Sequence, residues 1–216
     1  MAVLLDNTAY SATNGGTGGA TFNHTISSKG NRVLVVAVSG STSGDTLPAE
    51  GFSVTAGGVS MTSRAYKSGY RCYSAIYTLE DPAAGVTSIV TNPNVNSLGT
   101  ISASYLFYNC KEYDSQAEAS GSATGASLNI TVAKGGSYVV DAMSNRGSTI
   151  GTAGAGQTTV YNASPGGTTA CMTSSKPVSS GTQSTSFSDY SNNQYAYASV
   201  AVSPSPMGGS FLLNML

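Results

Sequence analysis

Charge is what this 216-residue chain has least of: only 9% of it is Asp, Glu, Lys or Arg, against about 25% in ordinary globular proteins. Nine basic residues against ten acidic ones leave a formal charge of −1, so no sustained basic field exists to hold nucleic acid or an anionic membrane surface. Tryptophan is absent and histidine occurs once, at His24. Any catalytic triad or His-metal cluster would have to be built around that one imidazole. The three cysteines, Cys72, Cys110 and Cys171, lie far apart with no C-x-x-C pair, which excludes a disulfide ladder or a zinc knuckle. They read as small buried hydrophobes of a chain folded in a reducing cytoplasm. No apolar run approaches the ~18 residues of a membrane span. MAVLLDNTAY lacks a basic start, and Asp6 ends its apolar run well short of a signal sequence.

Catalytic patterns are equally scarce. No G-x-S-x-G elbow, P-loop or complete G-x-G-x-x-G occurs, and GTAGAG (151–156) reads as a loop. Sandwich-fold glycosidases need two acids facing across a groove, but Glu80 and Asp81 are neighbours before Pro82, and Glu112, Asp114 and Glu118 fall in a polar stretch that reads as solvated turns. Asp45, Asp81, Asp114 and Asp189 are the acids available for a calcium loop, without a clustered D-x-D-x-D pattern. The expectation is a non-enzyme with no cofactor and no metal, in which His24 is a structural or surface residue.

What the chain does have is glycine, valine, threonine and tyrosine in short alternating runs, with no window of helical periodicity. Strands are expected at 20–26, 32–40, 51–56, 59–66, 71–80, 87–92 and 100–109, then at 128–133, 137–144, 158–163, 168–174, 184–189 and 194–203. Gly57 and Gly58 alone separate two of them, and supply the positive φ angles of a primed hairpin turn. That register opposes Ala56 to Val59 and Val54 to Met61 on one face, and Thr55 to Ser60 on the other. Tyr73, Ala75, Tyr77 and Leu79 alternate with Ser74, Ile76 and Thr78, as in a strand with one face in a core and one partly wet. Val33 to Val38 are apolar without a break, as in a strand covered on both faces by a central position or a neighbouring subunit. SSKGNRVLVVAVS (27–39) and VAKGGSYVVDAMS (132–144) echo one another, which two hairpins of any sandwich would do, and which duplication would also explain. The architecture expected is all-β: an antiparallel two-sheet β-sandwich, jelly-roll-like, over residues 1–203. Residues 204–216 then form a Pro/Gly linker and an apolar C-terminal arm.

Thirteen tyrosines raise sugar binding as a function. Tyr195 and Tyr197 share a strand face, as do Tyr73 and Tyr77, and these four are the candidate ligand face, although cross-strand packing is the commoner reason for such spacing. SRAYKSGYRC (63–72) interleaves Arg64, Lys67 and Arg71 with Tyr66 and Tyr70, a pattern that seats an anionic partner or simply solvates a hairpin end.

The succession NRVLVVAVSG, VTAGGVSMT, IYTLEDPAAGVTSIVT, a Ser/Tyr-rich strand, SYVVDAMSN and YAYASVAVSP resembles, over roughly residues 20–203, a family of β-sandwich proteins found among structural genes of tailed bacteriophages, with relatives in bacterial surface proteins. The pieces that carry the likeness are the V-x-x-G-G-V-x-M hairpin and the L-x-x-P-x-x-G turn at Leu79, Pro82 and Gly85; both are structural. Related chains often have Tyr-x-Gly after the Ser/Tyr strand, where this one has Tyr108-Asn109-Cys110. The resemblance implies a virion component or adhesin without known chemistry. Composition agrees, because a Ser/Thr/Gly/Asn-rich, charge-poor surface without an export signal suits a protein that folds in the host cytoplasm and meets the outside on lysis. The expected partners are other copies of the chain, other virion proteins and host-surface glycan, with neither nucleic acid nor membrane insertion.

GGSFLLNML (208–216) ends the sequence in bare apolar side chains. Buried, each contributes about 1.5–3 kcal/mol; exposed, they invite aggregation. Phe211, Leu212, Leu213, Met215 and Leu216 are therefore the expected assembly contact, the alternative being that they pack onto the chain's own sandwich, in which case the truncated chain would unfold. Deleting residues 208–216 should leave the melting temperature nearly unchanged and abolish oligomerisation or incorporation into particles. Normal assembly of the truncated chain, followed by size-exclusion chromatography, would rule the anchor out.

Overall fold

The computed structural model describes residues 1–17, 19–167 and 169–205, without the side chains of residue 112 and residues 189–193. The arm residues Phe211, Leu212, Leu213, Met215 and Leu216 thus lie outside the described residues. The first half of the chain forms β1 (Leu4–Thr13), β2 (Ala20–Ile26), β3 (Val33–Thr42), β4 (Ser53–Ala56), β5 (Val59–Ser60), β6 (Thr62–Gly69), β7 (Cys72–Glu80), β8 (Gly85–Asn92) and β9 (Ser97–Tyr108). The second half forms β10 (Cys110–Val132), β11 (Ser137–Asn145), β12 (Thr152–Ala153), β13 (Thr158–Ala163), β14 (Ala170–Val178) and β15 (Gly181–Pro204), with one 3₁₀ turn at Pro165–Gly167.

The first half is a sandwich of an inner sheet, ordered β1-β9-β3-β7-β6, and an outer sheet, ordered β2-β8-β4-β5. With β5 and β6, separated only by Met61, counted as one strand that changes sheets, this is the eight-strand order of a jelly roll. The second half repeats it. Its inner sheet runs β10-β15-β11-β14-β13. Beyond a register jump from Ala123↔Asn193 to Gly125↔Ser188, β10 and β15 continue as an outer pair that β12 joins through Thr152↔Ser188. The β10 and β15 strands therefore each do the work of two strands in the first half. The expected jelly-roll sandwich is present twice, and the echo between residues 27–39 and 132–144 marks equivalent strands, β3 and β11, at the same place in two repeats.

The two inner sheets pack face to face. Val33, Val35 and Ala37 of β3 meet Val140 and Ala142 of β11 and Ala198, Val200 and Val202 of β15 in one core. Leu34, Val36 and Val38 point the other way, into a core shared with Val54, Ala56 and Ile89 of the outer sheet. This explains the unbroken apolar run: every residue of β3 is buried because the strand is central in both senses. It also corrects the expectation that Ser74, Ile76 and Thr78 are partly wet. The second repeat covers that face of β7; Ile76 joins the inter-repeat core, and Ser74 donates its hydroxyl to the Ala196 carbonyl at 2.9 Å.

Three segments differ from expectation. Residues 4–13 form β1; residues 110–127, whose acids Glu112, Asp114 and Glu118 read as solvated turns, belong to β10; and Thr152–Ala153, inside the expected loop 151–156, form β12. β1 and β10 are edge strands of their inner sheets, held chiefly by their ladders with β9 and β15, with Leu5 and Tyr113 packing against the inter-repeat core. The Gly57-Gly58 hairpin matches its expected register, Ala56↔Val59 and Thr55↔Ser60, with φ of 58° and 80° at the two glycines. Val59 nevertheless stays exposed, since the turn projects beyond the core. Gly58→Val places a β-branched residue in the left-handed region and should destabilise the fold by more than about 1 kcal/mol; an unchanged urea midpoint would contradict that role for the turn.

Candidate functional site

The four tyrosines proposed as a ligand face do not form one. Tyr73 and Tyr77 are buried against Phe52 in the first repeat, at ring distances of 6.2 and 5.4 Å. Tyr197 is buried against Phe187 in the second, at 5.4 Å. Only Tyr195 is partly exposed, its ring lying over Gly121, where an added Cβ would come within 3.2 Å of it. Alternate tyrosines on these strands fill cores because the strands face sheets, not solvent. The basic-aromatic stretch is dispersed as well: Arg64 lies over Tyr113 and pairs with Glu80, whereas Arg71 lies beside Tyr70 and pairs with Asp45 at 2.7 Å.

The acids weighed for catalysis or calcium have structural partners. Asp114 accepts from the Ser203 hydroxyl and the Ala133 amide, at 2.8 and 2.9 Å. Glu118 accepts the Tyr66 amide at 2.9 Å, reaching from β10 to β6 just past its bulge at Ser63–Ala65. Among the described residues no three His, Cys, Asp or Glu side chains converge as metal ligands; Asp189 and Glu112 fall outside the side chains described. The three cysteines are buried and none is in a disulfide; burial pushes the Cys72 thiol up to about 12. A polar cleft of about 250 Å³ opens where the repeats meet, lined by Glu50, Ser63, Arg64, Tyr66, Gln116 and Glu118.

Two buried titratable groups stand apart, one in each repeat. His24 on β2 is 2% exposed. Its Nε2 donates to Asn7 Oδ1 at 2.6 Å, a direction fixed because Asn7 Nδ2 donates to the Thr25 carbonyl. Its Nδ1 then accepts the Ser104 hydroxyl at 2.6 Å. A Ser-His-Asn chain is the skeleton of a nucleophilic relay, but Ser104 is fully buried in mid-strand, out of reach of any substrate. The chain instead ties β2 of the outer sheet to β1 and β9 of the inner one. Burial pushes the imidazole down to about 4, against the pull of Asp6.

Asp141 on β11 is fully buried between two apolar clusters of the second repeat. Ser199 Oγ donates to its Oδ1 at 2.7 Å and Ser174 Oγ to its Oδ2 at 3.1 Å. The Tyr197 hydroxyl and Gln157 Nε2 lie farther off, at 3.4 and 3.3 Å. Desolvation outweighs these donors and pushes the carboxyl up to about 6. In the first repeat the matching position is Val36: it pairs with Ser104 and Tyr77 where Asp141 pairs with Ser199 and Ser174. The fold thus accepts an apolar residue here, and the acid is particular to the second repeat. Asp141 was not singled out from sequence, although a lone carboxylate between Val140 and Ala142 in an apolar strand is the signal that would have found it.

No family model, curated protein or solved structure matches this chain.

The two centres have opposite linkage to pH. His24 holds its proton less tightly folded, at about 4, than its ordinary 6.5, so stability is lost as pH falls through that window. Asp141 holds its proton more tightly folded, at about 6, than its ordinary 3.8, so stability is lost as pH rises through nearly the same window. Each shift corresponds to about 3 kcal/mol, and in the wild type they offset. Asp141→Asn should therefore lose stability on acidification from about pH 6.5, and His24→Asn on going up from about pH 4. Urea midpoints across that range check this; parallel profiles for wild type and both variants would overturn it.

Proposed function

We propose that the chain is a non-enzymatic structural protein exposed on a tailed-bacteriophage virion, as head decoration, fibre or tail-tip module, in contact with other copies of itself and with other virion proteins. The observation that carries this reading is the use made of the reactive side chains: His24, Ser104, Asp141 and the three cysteines are all buried within the sandwiches, and what faces water is dominated by small polar residues. Jelly rolls recur in viral capsid and lectin domains; fold by itself assigns no function, and the likeness in the strands and the Gly57-Gly58 hairpin supplies the phage context. The arm at Phe211 to Leu216 is the proposed anchor to a neighbour.

A second reading is a glycan-binding or host-surface adhesin module. The cleft between the repeats favours it, because Glu50, Ser63, Arg64, Gln116 and Glu118 offer both donors and acceptors at a scale below that of drug-sized pockets, suited to a single sugar ring. Mass spectrometry of purified particles should find the chain as a stoichiometric component. Its absence from particles, with export by the host, would sink the first reading; glycan-array binding abolished by Gln116→Ala would establish the second alongside it. Polysaccharide hydrolysis lost on replacing one acid would overturn the non-enzymatic reading.

A further inference from the structure

Ser174, Gln157 and Asp141 are more than a satisfied polar cluster: they are arranged as nucleophile, electrophile and base. Ser174 Oγ donates to Asp141 Oδ2 at 3.1 Å and accepts Gln157 Nε2 at 2.9 Å. The same Nε2 lies 3.3 Å from Asp141 Oδ2. The carboxamide orientation is fixed from its other end, because Gln157 Oε1 accepts the Ser186 backbone N–H at 2.8 Å. Gly154 packs directly against that oxygen; a Cβ there would lie 2.7 Å from Oε1 and closer still to Ser186 Oγ. The first repeat has Val36 and Tyr77 at the places of Asp141 and Ser174, so neither polar residue is needed to build a jelly roll.

We propose that this chain makes an intramolecular ester cross-link between Ser174 and Gln157, formed by Asp141. Asp141 takes the proton of the Ser174 hydroxyl, and Oγ, already against Nε2, adds to the adjoining Cδ of Gln157 while Oε1 stays on the Ser186 N–H. Negative charge collects on Oε1, where the Ser186 N–H stabilises it in the manner of an oxyanion hole. Collapse breaks the Cδ–Nε2 bond; the nitrogen takes the proton back from Asp141 and leaves as ammonia. One C–O bond replaces one C–N bond, Asp141 returns to carboxylate, and no oxidant, metal or cofactor enters. The carboxyl must be ionised to act as the base, which its position near about 6 allows at neutral pH. Ser174 and Asp141 are fully buried and Gln157 half-buried, which limits the water that would hydrolyse the ester, and preorganisation of all three groups supplies the effective concentration the step requires. The product fastens the start of β13 to β14 in the repeat whose outer layer is the smaller, and suits a protein exposed outside a cell.

Intact-mass measurement of the denatured full-length chain tests this. The expected mass is lower than that of the sequence by one ammonia, and Ser174→Ala and Asp141→Asn should each restore it. After chymotryptic cleavage at Tyr161 the flanking peptides should stay joined, and part on treatment with hydroxylamine. A wild-type chain at full sequence mass, with peptides that separate on cleavage, overturns the proposal whether or not the variants fold. So does an ammonia loss that persists in Ser174→Ala, which would place it elsewhere, as at Asn14-Gly15.

Discussion

The structure depends on a sheet that must be covered on both faces. From Val33 to Val38 no side chain of β3 retains any exposure, and alternate residues feed two different cores. Leaving either face wet would forfeit roughly 1.5–3 kcal/mol per large side chain, so the first repeat's inner sheet cannot stand without both its own outer sheet and the second repeat. The inter-repeat core is rich in alanine: Ala37, Ala65, Ala103, Ala142 and Ala198 bring the two inner sheets close together.

Apolar faces made of small side chains are nearly indifferent to sliding, and polar groups remove that freedom. Ser74 donates to the Ala196 carbonyl and Ser144 to the Tyr73 carbonyl, both at 2.9 Å, and the Ser41 and Thr169 hydroxyls bond directly. Each of these bonds joins one repeat to the other. A buried donor left without its partner costs more than the bond itself contributes, so these ties penalise every alignment but one. The His24 chain does the same between the two sheets of the first repeat.

Duplication also exposes what the fold does not require. Ser104 and Ser199 occupy equivalent places beside β3 and β11, and each holds its repeat's buried titratable group, His24 in one and Asp141 in the other. The same serine position thus partners a base that burial keeps neutral in one repeat and an acid that burial makes harder to ionise in the other. Each pairing has a carboxamide beside it, but Asn7 contacts the imidazole, whereas Gln157 contacts both the Asp141 carboxylate and the Ser174 hydroxyl.

Strand character, the hairpin at Gly57-Gly58 and the central place of Val33–Val38 were determined by the sequence itself, because turn geometry and alternation act over a few residues. The polar edge strands β1 and β10 were not legible, since their stability comes chiefly from ladders with β9 and β15, with few large side chains such as Leu5 and Tyr113 reaching the core. Nor was the role of the tyrosines: alternate spacing puts Tyr73 and Tyr77 on one face, but only the packing of sheet on sheet decides whether that face meets solvent. The echo between residues 27–39 and 132–144 became a repeat once strand order was known, because topology is fixed by pairings between residues far apart in the chain. The gathering of Asp141, Gln157 and Ser174 from β11, the turn before β13 and β14 belongs to tertiary structure alone; nothing local marks three residues as neighbours when only the folding of a sheet brings them within hydrogen-bonding distance.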